Sequence, residues 1–114
     1  MIFYRSKVFP MSPHFFAITH PYRTDFVTNP IDSESKIMSE HFDYLQDLMN
    51  HGKLYLAGPT LKEDDPFGIY IFCAETLDEA RQLLEKDPSI KAKIQAITTL
   101  RPLRVSLHDC GLDE

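Results

Sequence analysis

One histidine, His41, lies where a helix would bury an apolar side chain. Apolar residues recur at helical spacing over residues 33–51, and a rotation of about 100° per residue places them on one side of a helix: Ile37, Tyr44, Leu45, Leu48 and Met49. His41 falls near the middle of this apolar stripe. Such an imidazole is either a core histidine bonded to a backbone carbonyl or a group that transfers protons, as imidazoles do near neutral pH.

The remaining histidines and the two cysteines form no comparable pattern. His14 and His20 share a strand face, but their spacing of six residues is too long for adjacent metal ligands, while Cys73 lies in an apolar run and Cys110 in a polar tail. The sequence contains no C-x-x-C pair, glycine-rich phosphate loop or G-x-S-x-G motif. We therefore expect no metal ion, no cofactor and no disulfide framework.

Size and charge exclude several classes of protein. The 114 residues suit one domain, and 43% hydrophobic with 25% charged residues is typical of a soluble globular chain. The net charge of −5 and the scattered basic residues argue against nucleic acid and lipid surfaces as partners. No apolar run approaches the roughly 20 residues of a membrane span, and the N-terminus lacks a secretory core. A cytoplasmic protein is expected.

The elements that must position His41 follow from hydrophobic periodicity and turn residues. Residues 1–13 are interpreted as a leader and 108–114 as a polar tail, and the long loop over 21–32 could act as a lid. Between them the pattern predicts a strand over 14–20, a helix over 33–51 that stops at Gly52, strands over 53–57 and 69–74, a helix up to 86 and a strand over 95–107.

Capping residues and prolines refine these boundaries. Asp32 or Ser33 is expected to cap the first helix. Thr76 and Glu79 form a capping box before the second helix, and Asp87-Pro88 ends that helix and can cap a further turn. We expect Pro59 to break or bend the second strand, and Pro102 to mark an edge strand or a bulge.

This order of elements is βαββαβ, which predicts an α+β, ferredoxin-like domain over residues 14–107. Four antiparallel strands would carry both helices on one face. Because the strands are apolar on both faces, the other face needs a cover, and it would carry either Leu54 and Leu56 or Tyr55, Tyr70 and Phe72. A second copy of the chain is the simplest cover, so we expect a homodimer formed through the open sheet face.

Several short segments resemble the YciI-like (YCII-related) family. They are His41-Phe-Asp-Tyr-Leu45 in the first helix, Ala57-Gly-Pro59 at the end of the second strand, Thr76-Leu-Asp-Glu-Ala80, and Asp87-Pro88, and the resemblance covers roughly residues 14–106. It implies a dimeric α/β barrel and small enzymes acting on muconolactone-type or chlorinated hydroxyquinol compounds. The family's acid–base pair corresponds here to His41 and Asp87. The chain departs from the pattern after Asp87-Pro88, where Ser89-Ile-Lys replaces an aromatic or apolar residue and a small Ala-Gly pair.

The sequence leaves three alternative functions to be tested. The first is a cofactor-independent acid–base enzyme acting on a small enol, lactone or hydroxylated aromatic, in which His41 moves a proton and Asp87 orients it. The second is a non-catalytic dimeric module that binds a small molecule or supports another protein. The third is haem binding, as in other dimeric α/β barrels. Tyr44, three residues from His41, is either a core residue or a donor to a substrate oxygen.

Overall fold

The elements follow the predicted order around one antiparallel sheet. The computed structural model describes residues 13–23 and 31–108. Its elements are β1 (His14–Pro21), α1 (Asp32–Asn50), β2 (Leu54–Pro59), β3 (Gly68–Cys73), α2 (Leu77–Glu85), α3 (Pro88–Lys91) and β4 (Gln95–Leu103). The strand order β2-β3-β1-β4, antiparallel throughout, confirms the ferredoxin-like α+β fold. Most of the predicted leader and tail, and the part of the loop over 24–30, lie outside the described residues.

Alternation along β1 separates the two faces of the sheet. Phe15, Ala17 and Thr19 are buried, whereas the residues between them are only half-buried. Phe15 and Ala17 pack with Leu45 and Leu48 of α1 and with further core residues, namely Leu54, Tyr70, Phe72, Ala80 and Leu84. The three helices of the described residues therefore lie on this face, and none of them covers the opposite face, which is called the open face below. In the described chain no helix is long and apolar enough to cross a bilayer.

Strand β2 differs from the sequence prediction in two ways. It runs two residues beyond the predicted end at Ala57 and stops at Pro59, a residue that an edge strand tolerates because its missing N–H costs no ladder hydrogen bond on the open side. The register shifts between Leu54 and Leu56, so that Leu54 pairs with Phe72 and Leu56 with Ile71. Neither alternative for the open face was therefore correct. Leu54 is buried with Tyr70 and Phe72, whereas Leu56, paired with Ile71, lies on the open side.

The start of α1 also differs by one or two residues. Ile31 is the N-cap residue, not Asp32 or Ser33, and its backbone N–H donates to Glu34 Oε1 at 3.0 Å. Glu34 also pairs with Arg23, two residues after the end of β1. The acidic side chains of Asp32 and Glu34 thus lie in the first turn, where they complement the helix dipole.

The predicted cap residues of the later helices are confirmed, but the capping box at Thr76 is only half formed. Thr76 Oγ1 accepts from Glu79 N at 3.0 Å, although Glu79 reaches back to Glu75 N rather than to Thr76 N. Asp87 caps α3 with Pro88 at its first position. Strand β4 ends at Leu103, earlier than predicted, and Pro102 lies on an edge strand as expected.

Close packing at Gly68 generates the first prediction. A Cβ at this position would lie 2.8 Å from Thr19 Oγ1 and 3.3 Å from the Tyr70 ring, and both neighbours are buried. We expect Gly68→Ala to lower the free energy of unfolding by about 1–3 kcal/mol through overpacking. Gly58→Ala is the control, since a Cβ there meets nothing within 4 Å. Equal urea denaturation midpoints for the two variants would contradict this reading.

Tyr44 joins α1 to α2 and generates the second prediction. Its hydroxyl donates to the carbonyl oxygen of Leu83 at 2.6 Å. Burial, with added repulsion from the carboxylates of Asp87 and Asp47, raises the pKa of Tyr44 from 10.0 to about 12. The folded state thus favours the neutral phenol. Its contribution to stability is complete below pH 10 and is lost as the pH rises toward 12.

Urea titrations of wild type and Tyr44→Phe at pH 8 and pH 11 test this. At pH 8 we expect the variant to be less stable by about 1 kcal/mol, because the Leu83 carbonyl loses its donor. At pH 11 this difference should shrink, since only the wild type has this ionisable phenol. Tyr55→Phe, on an exposed ring, is the control. A difference between wild type and Tyr44→Phe that is unchanged at pH 11 would refute the assignment.

Candidate active site

His41 and Asp87 are in direct contact. Helix α1 presents His41 toward the start of α3, where His41 Nδ1 lies 2.9 Å from Asp87 Oδ1 and 2.7 Å from Oδ2. The Asp87 side chain is completely buried, and the His41 side chain is 14% exposed. Because carboxylate oxygens only accept hydrogen bonds, the Nδ1–H of His41 donates to Asp87. Nε2 is then the ring nitrogen available for other partners.

The position of Asp87 is fixed by the turn between α2 and α3. Asp87 Oδ1 accepts from Ser89 N at 2.8 Å and from Ser89 Oγ at 2.8 Å. These bonds cap α3, and the nearby backbone of Asp87 accepts from Ile90 N and Lys91 N. With His41 added, the carboxylate has three donors around it. The same side chain therefore caps one helix and orients a histidine on another.

A chain of buried polar groups continues from Ser89 into the sheet. Gln95 Nε2, at the start of β4, donates to Ser89 Oγ at 2.9 Å and lies 3.3 Å from Tyr70 OH. Thr19 Oγ1 in β1 donates to Gln95 Oε1 at 2.8 Å. Within the described chain, no buried side-chain nitrogen or oxygen lacks a hydrogen-bond partner. The site thus connects α1, α3, β4, β1 and β3.

A cavity of about 420 Å³ lies between α1 and the β2–β3 hairpin, and His41 lines it. Most of its walls are apolar side chains, among them Met38, Phe42, Leu45, Met49, Pro59 and Phe67. The polar residues on the lining are His41, Tyr70, Gln95 and Gln46. A largely apolar cavity with a few converging polar groups is the usual form of a small-molecule site.

Tyr70 lies at the inner wall of this cavity and is 3% exposed. Burial raises the pKa of its phenol, and the charge of Asp87 acts in the same direction, whereas hydrogen bonds to Thr19 and Gln95 oppose the shift. The phenol is therefore protonated at neutral pH. Its ring meets that of His41 edge-on, with centroids 6.5 Å apart and planes at 89°.

The other residues considered from the sequence lie elsewhere. Tyr44 donates to Leu83 and does not line the cavity, so it is a core residue and not a substrate donor. His20 contacts Thr98, and His51 contacts the backbone of Asp47. His14 and His108 both lie against Tyr55. Across the described residues, no three metal-ligating side chains come together.

The sequence did not reveal Tyr70, Gln95, Ser89 and Thr19 as parts of the site. One signal was present: Gln95 is a polar residue at the start of a strand rich in β-branched residues, directly before Ala96 and Ile97. Tyr70 and Thr19 resemble ordinary strand residues, because their types favour strands regardless of function. Ser89 stands where the resembling family has an aromatic or apolar residue, and it supplies two of the contacts in the network.

Comparison with known proteins confirms the resemblance. Residues 14–104 match the YCII-related domain. A similar solved structure is 5-chloro-2-hydroxyhydroquinone dehydrochlorinase (TftG) from Burkholderia phenoliruptrix AC1100 in complex with 2,5-dihydroxybenzoquinone. It has 26% identity and a TM-score of 0.60, and the alignment covers 79% of this chain and 93% of that one. No curated protein gives a significant match. Because the domain match spans most of its length, the chain belongs to the YCII-related domain family.

Proposed function

We propose that this protein is a small acid–base enzyme that acts on an enol, lactone or hydroxylated aromatic compound, with His41 as the proton carrier. The observation that carries the proposal is the placement of His41. Its Nδ1 is bonded to a fully buried carboxylate while its ring lines an apolar cavity. Among the described residues, none forms a hydrogen bond with Nε2. A base held at one nitrogen and available at the other is what proton transfer requires.

The proposed step moves one proton. Nε2 of neutral His41 accepts a proton from an acidic O–H or C–H of the substrate, and the electron pair left behind passes into the conjugated ring. Asp87 stabilises the imidazolium through the Nδ1–H bond and keeps the ring in the productive tautomer. In an isomerisation the proton is then returned at another position of the substrate, and in an elimination the electron pair expels the leaving group, such as chloride, while the proton is lost to water. Elimination, isomerisation and hydrolysis can all begin in this way.

The cavity supports a small, mainly apolar substrate. Its volume of about 420 Å³ suits a single substituted ring, and Phe42, Phe67 and Leu45 provide apolar walls. The name of the similar structure describes elimination of hydrogen chloride from a chlorinated hydroxyhydroquinone. We therefore place a hydroxylated aromatic first among the substrate classes.

Two substitutions test the function, and they form the third prediction. We expect His41→Gln to lower kcat by at least about 10³-fold and Asp87→Asn by about 10²-fold, with smaller changes in KM, because general acid–base catalysis contributes about 10²–10⁴. The measurement is turnover of chlorinated and unchlorinated hydroxyhydroquinones, followed by chloride release and product absorbance. His51→Gln, on an exposed histidine just after the same helix, is the matched control.

The alternative outcomes are distinct. Full turnover by His41→Gln would exclude the proposed role. Loss of folding in His41→Gln, seen by circular dichroism, would make the imidazole structural. Saturable binding of these rings by wild type without turnover of any enol, lactone or hydroxylated aromatic would favour the non-catalytic binding module.

We also propose that two copies pair through the open face of the sheet. Phe16 is paired with Ile71 and Ile18 with Ile69 on the adjacent central strands, and none of the helices in residues 13–23 and 31–108 covers them. Leu56 extends the same patch from β2, opposite Ile71. An apolar patch in the middle of a sheet can meet its own copy about a twofold axis. The dimeric barrel implied by the family resemblance has this arrangement.

Charge placed on the open face gives the fourth prediction. We expect Ile71→Asp to raise the dimer dissociation constant by at least about 30-fold, because a symmetric interface would bury two unpaired carboxylates. Light scattering after size-exclusion chromatography measures the mass. Leu61→Asp, at a loop residue that is 94% exposed, is the control. A wild-type protein that is monomeric at high micromolar concentration would exclude the pairing.

A further inference from the structure

The protons of the buried network can be assigned one by one. Ser89 Oγ donates to Asp87 Oδ1 at 2.8 Å, so its single proton is committed. The group of Gln95 that faces Ser89 Oγ at 2.9 Å must then be the N–H₂ end of the amide. This orientation turns Gln95 Oε1 toward Thr19 Oγ1, which donates to it at 2.8 Å. The hydroxyl proton of Thr19 is therefore committed as well.

One proton in the network is left without a good acceptor. The second N–H of Gln95 points to Tyr70 OH at 3.3 Å, so the phenol oxygen is an acceptor in that contact. Tyr70 keeps its own proton, and the neighbouring Thr19 Oγ1 lies 3.3 Å away. That distance is long for a bond between hydroxyl groups, which usually measures about 2.7–2.8 Å.

The surroundings of Tyr70 direct this proton toward the cavity. Tyr70, Gln95 and Gly68 all line the cavity beside His41. A Cβ on Gly68 would approach Tyr70 OH to 3.3 Å, so the missing side chain leaves space next to the hydroxyl. Burial raises the pKa of Tyr70, which keeps the donor protonated at neutral pH.

We propose that Tyr70 is the second polar contact of the site and donates a hydrogen bond to an oxygen of the bound ring. This inference deepens the proposed function and rests on it. The ligand class is then a small ring that carries an acidic proton for His41 Nε2 and a carbonyl or phenolic oxygen for Tyr70. Gln95 and Thr19 act as positioning residues, because their bonds fix the phenol oxygen without contacting the substrate's reacting atoms.

The chemistry of the two contacts is complementary. When His41 removes a proton, negative charge develops on an oxygen conjugated with the site of deprotonation. A preorganised O–H donor in an apolar cavity stabilises that charge more than water would. His41 receives the proton and Tyr70 stabilises the remaining electron pair, so no further reactant is needed for this step.

Binding measurements with two rings give the fifth prediction. The probes are 2,5-dihydroxybenzoquinone, which carries oxygens, and 1,4-dimethylbenzene, which carries none. We expect Tyr70→Phe to weaken binding of the first by about tenfold or more, as for a hydrogen bond to a charged or strongly polarised oxygen. Binding of the second should change less than about twofold, because phenylalanine keeps the ring and its packing. Tyr55→Phe should leave both unchanged.

Each outcome decides between the claims. If Tyr70→Phe weakens the binding of both probes equally, Tyr70 is a packing residue and the inference fails. It also fails if the affinity for dihydroxybenzoquinone is unchanged, or if the wild type does not bind this compound. If Tyr70→Phe does not fold, Gln95→Met removes the N–H that holds the phenol, and the same selective loss is expected. Retained turnover in His41→Gln together with a selective loss in Tyr70→Phe would refute the proposed function alone. Lost turnover in His41→Gln, together with no selective loss of binding in Tyr70→Phe, would refute this inference alone.

Discussion

The structure depends on one buried carboxylate. Asp87 has no solvent exposure, and its two oxygens contact the backbone and hydroxyl of Ser89 and the ring of His41. Taking a charge out of water costs several kcal/mol unless hydrogen bonds replace the lost solvation. Helices α1 and α3 must therefore keep their relative position, since moving them apart would leave Asp87 Oδ2 without the His41 donor, and only the two Ser89 donors to Oδ1 would remain.

The same constraint extends into the sheet through Gln95. This side chain contacts Ser89, Thr19 and Tyr70, so the interior polar chain ends at the cavity wall opposite the apolar residues of α1. A cavity with hydrogen-bonding groups on one wall and Phe42 and Phe67 on others orients a flat ligand by chemistry as well as by shape.

Periodicity and capping were sufficient to predict the order of elements, the faces of β1 and the cap at Asp87. They could not predict Gln95 in the site, and the reason is a register shift. Ile18 pairs with Thr99 but Thr19 pairs with Ile97, so a bulge at Thr98 turns the first part of β4 over. Without that extra residue Gln95 would point to the open face. A second shift near Tyr55 likewise sends Leu54 and Leu56 to opposite sides of the sheet. Strict alternation predicts the wrong face in both places, because a bulge leaves little trace in composition.

The polar chain is difficult to explain by folding alone. Apolar residues of similar volume would pack this interior at equal or lower free energy, as they often do when they replace buried ionic groups. Asp87 caps only the four-residue helix α3, and a cap requires neither a histidine from another helix nor a glutamine from the last strand. The capping role therefore accounts for the contact with Ser89 but not for those with His41, Gln95 and Tyr70. These extra members share one property, which is that all three line the cavity. The simplest physical reason for these three polar residues is therefore that the cavity needs polar groups on its wall, and not that the core needs them to fold.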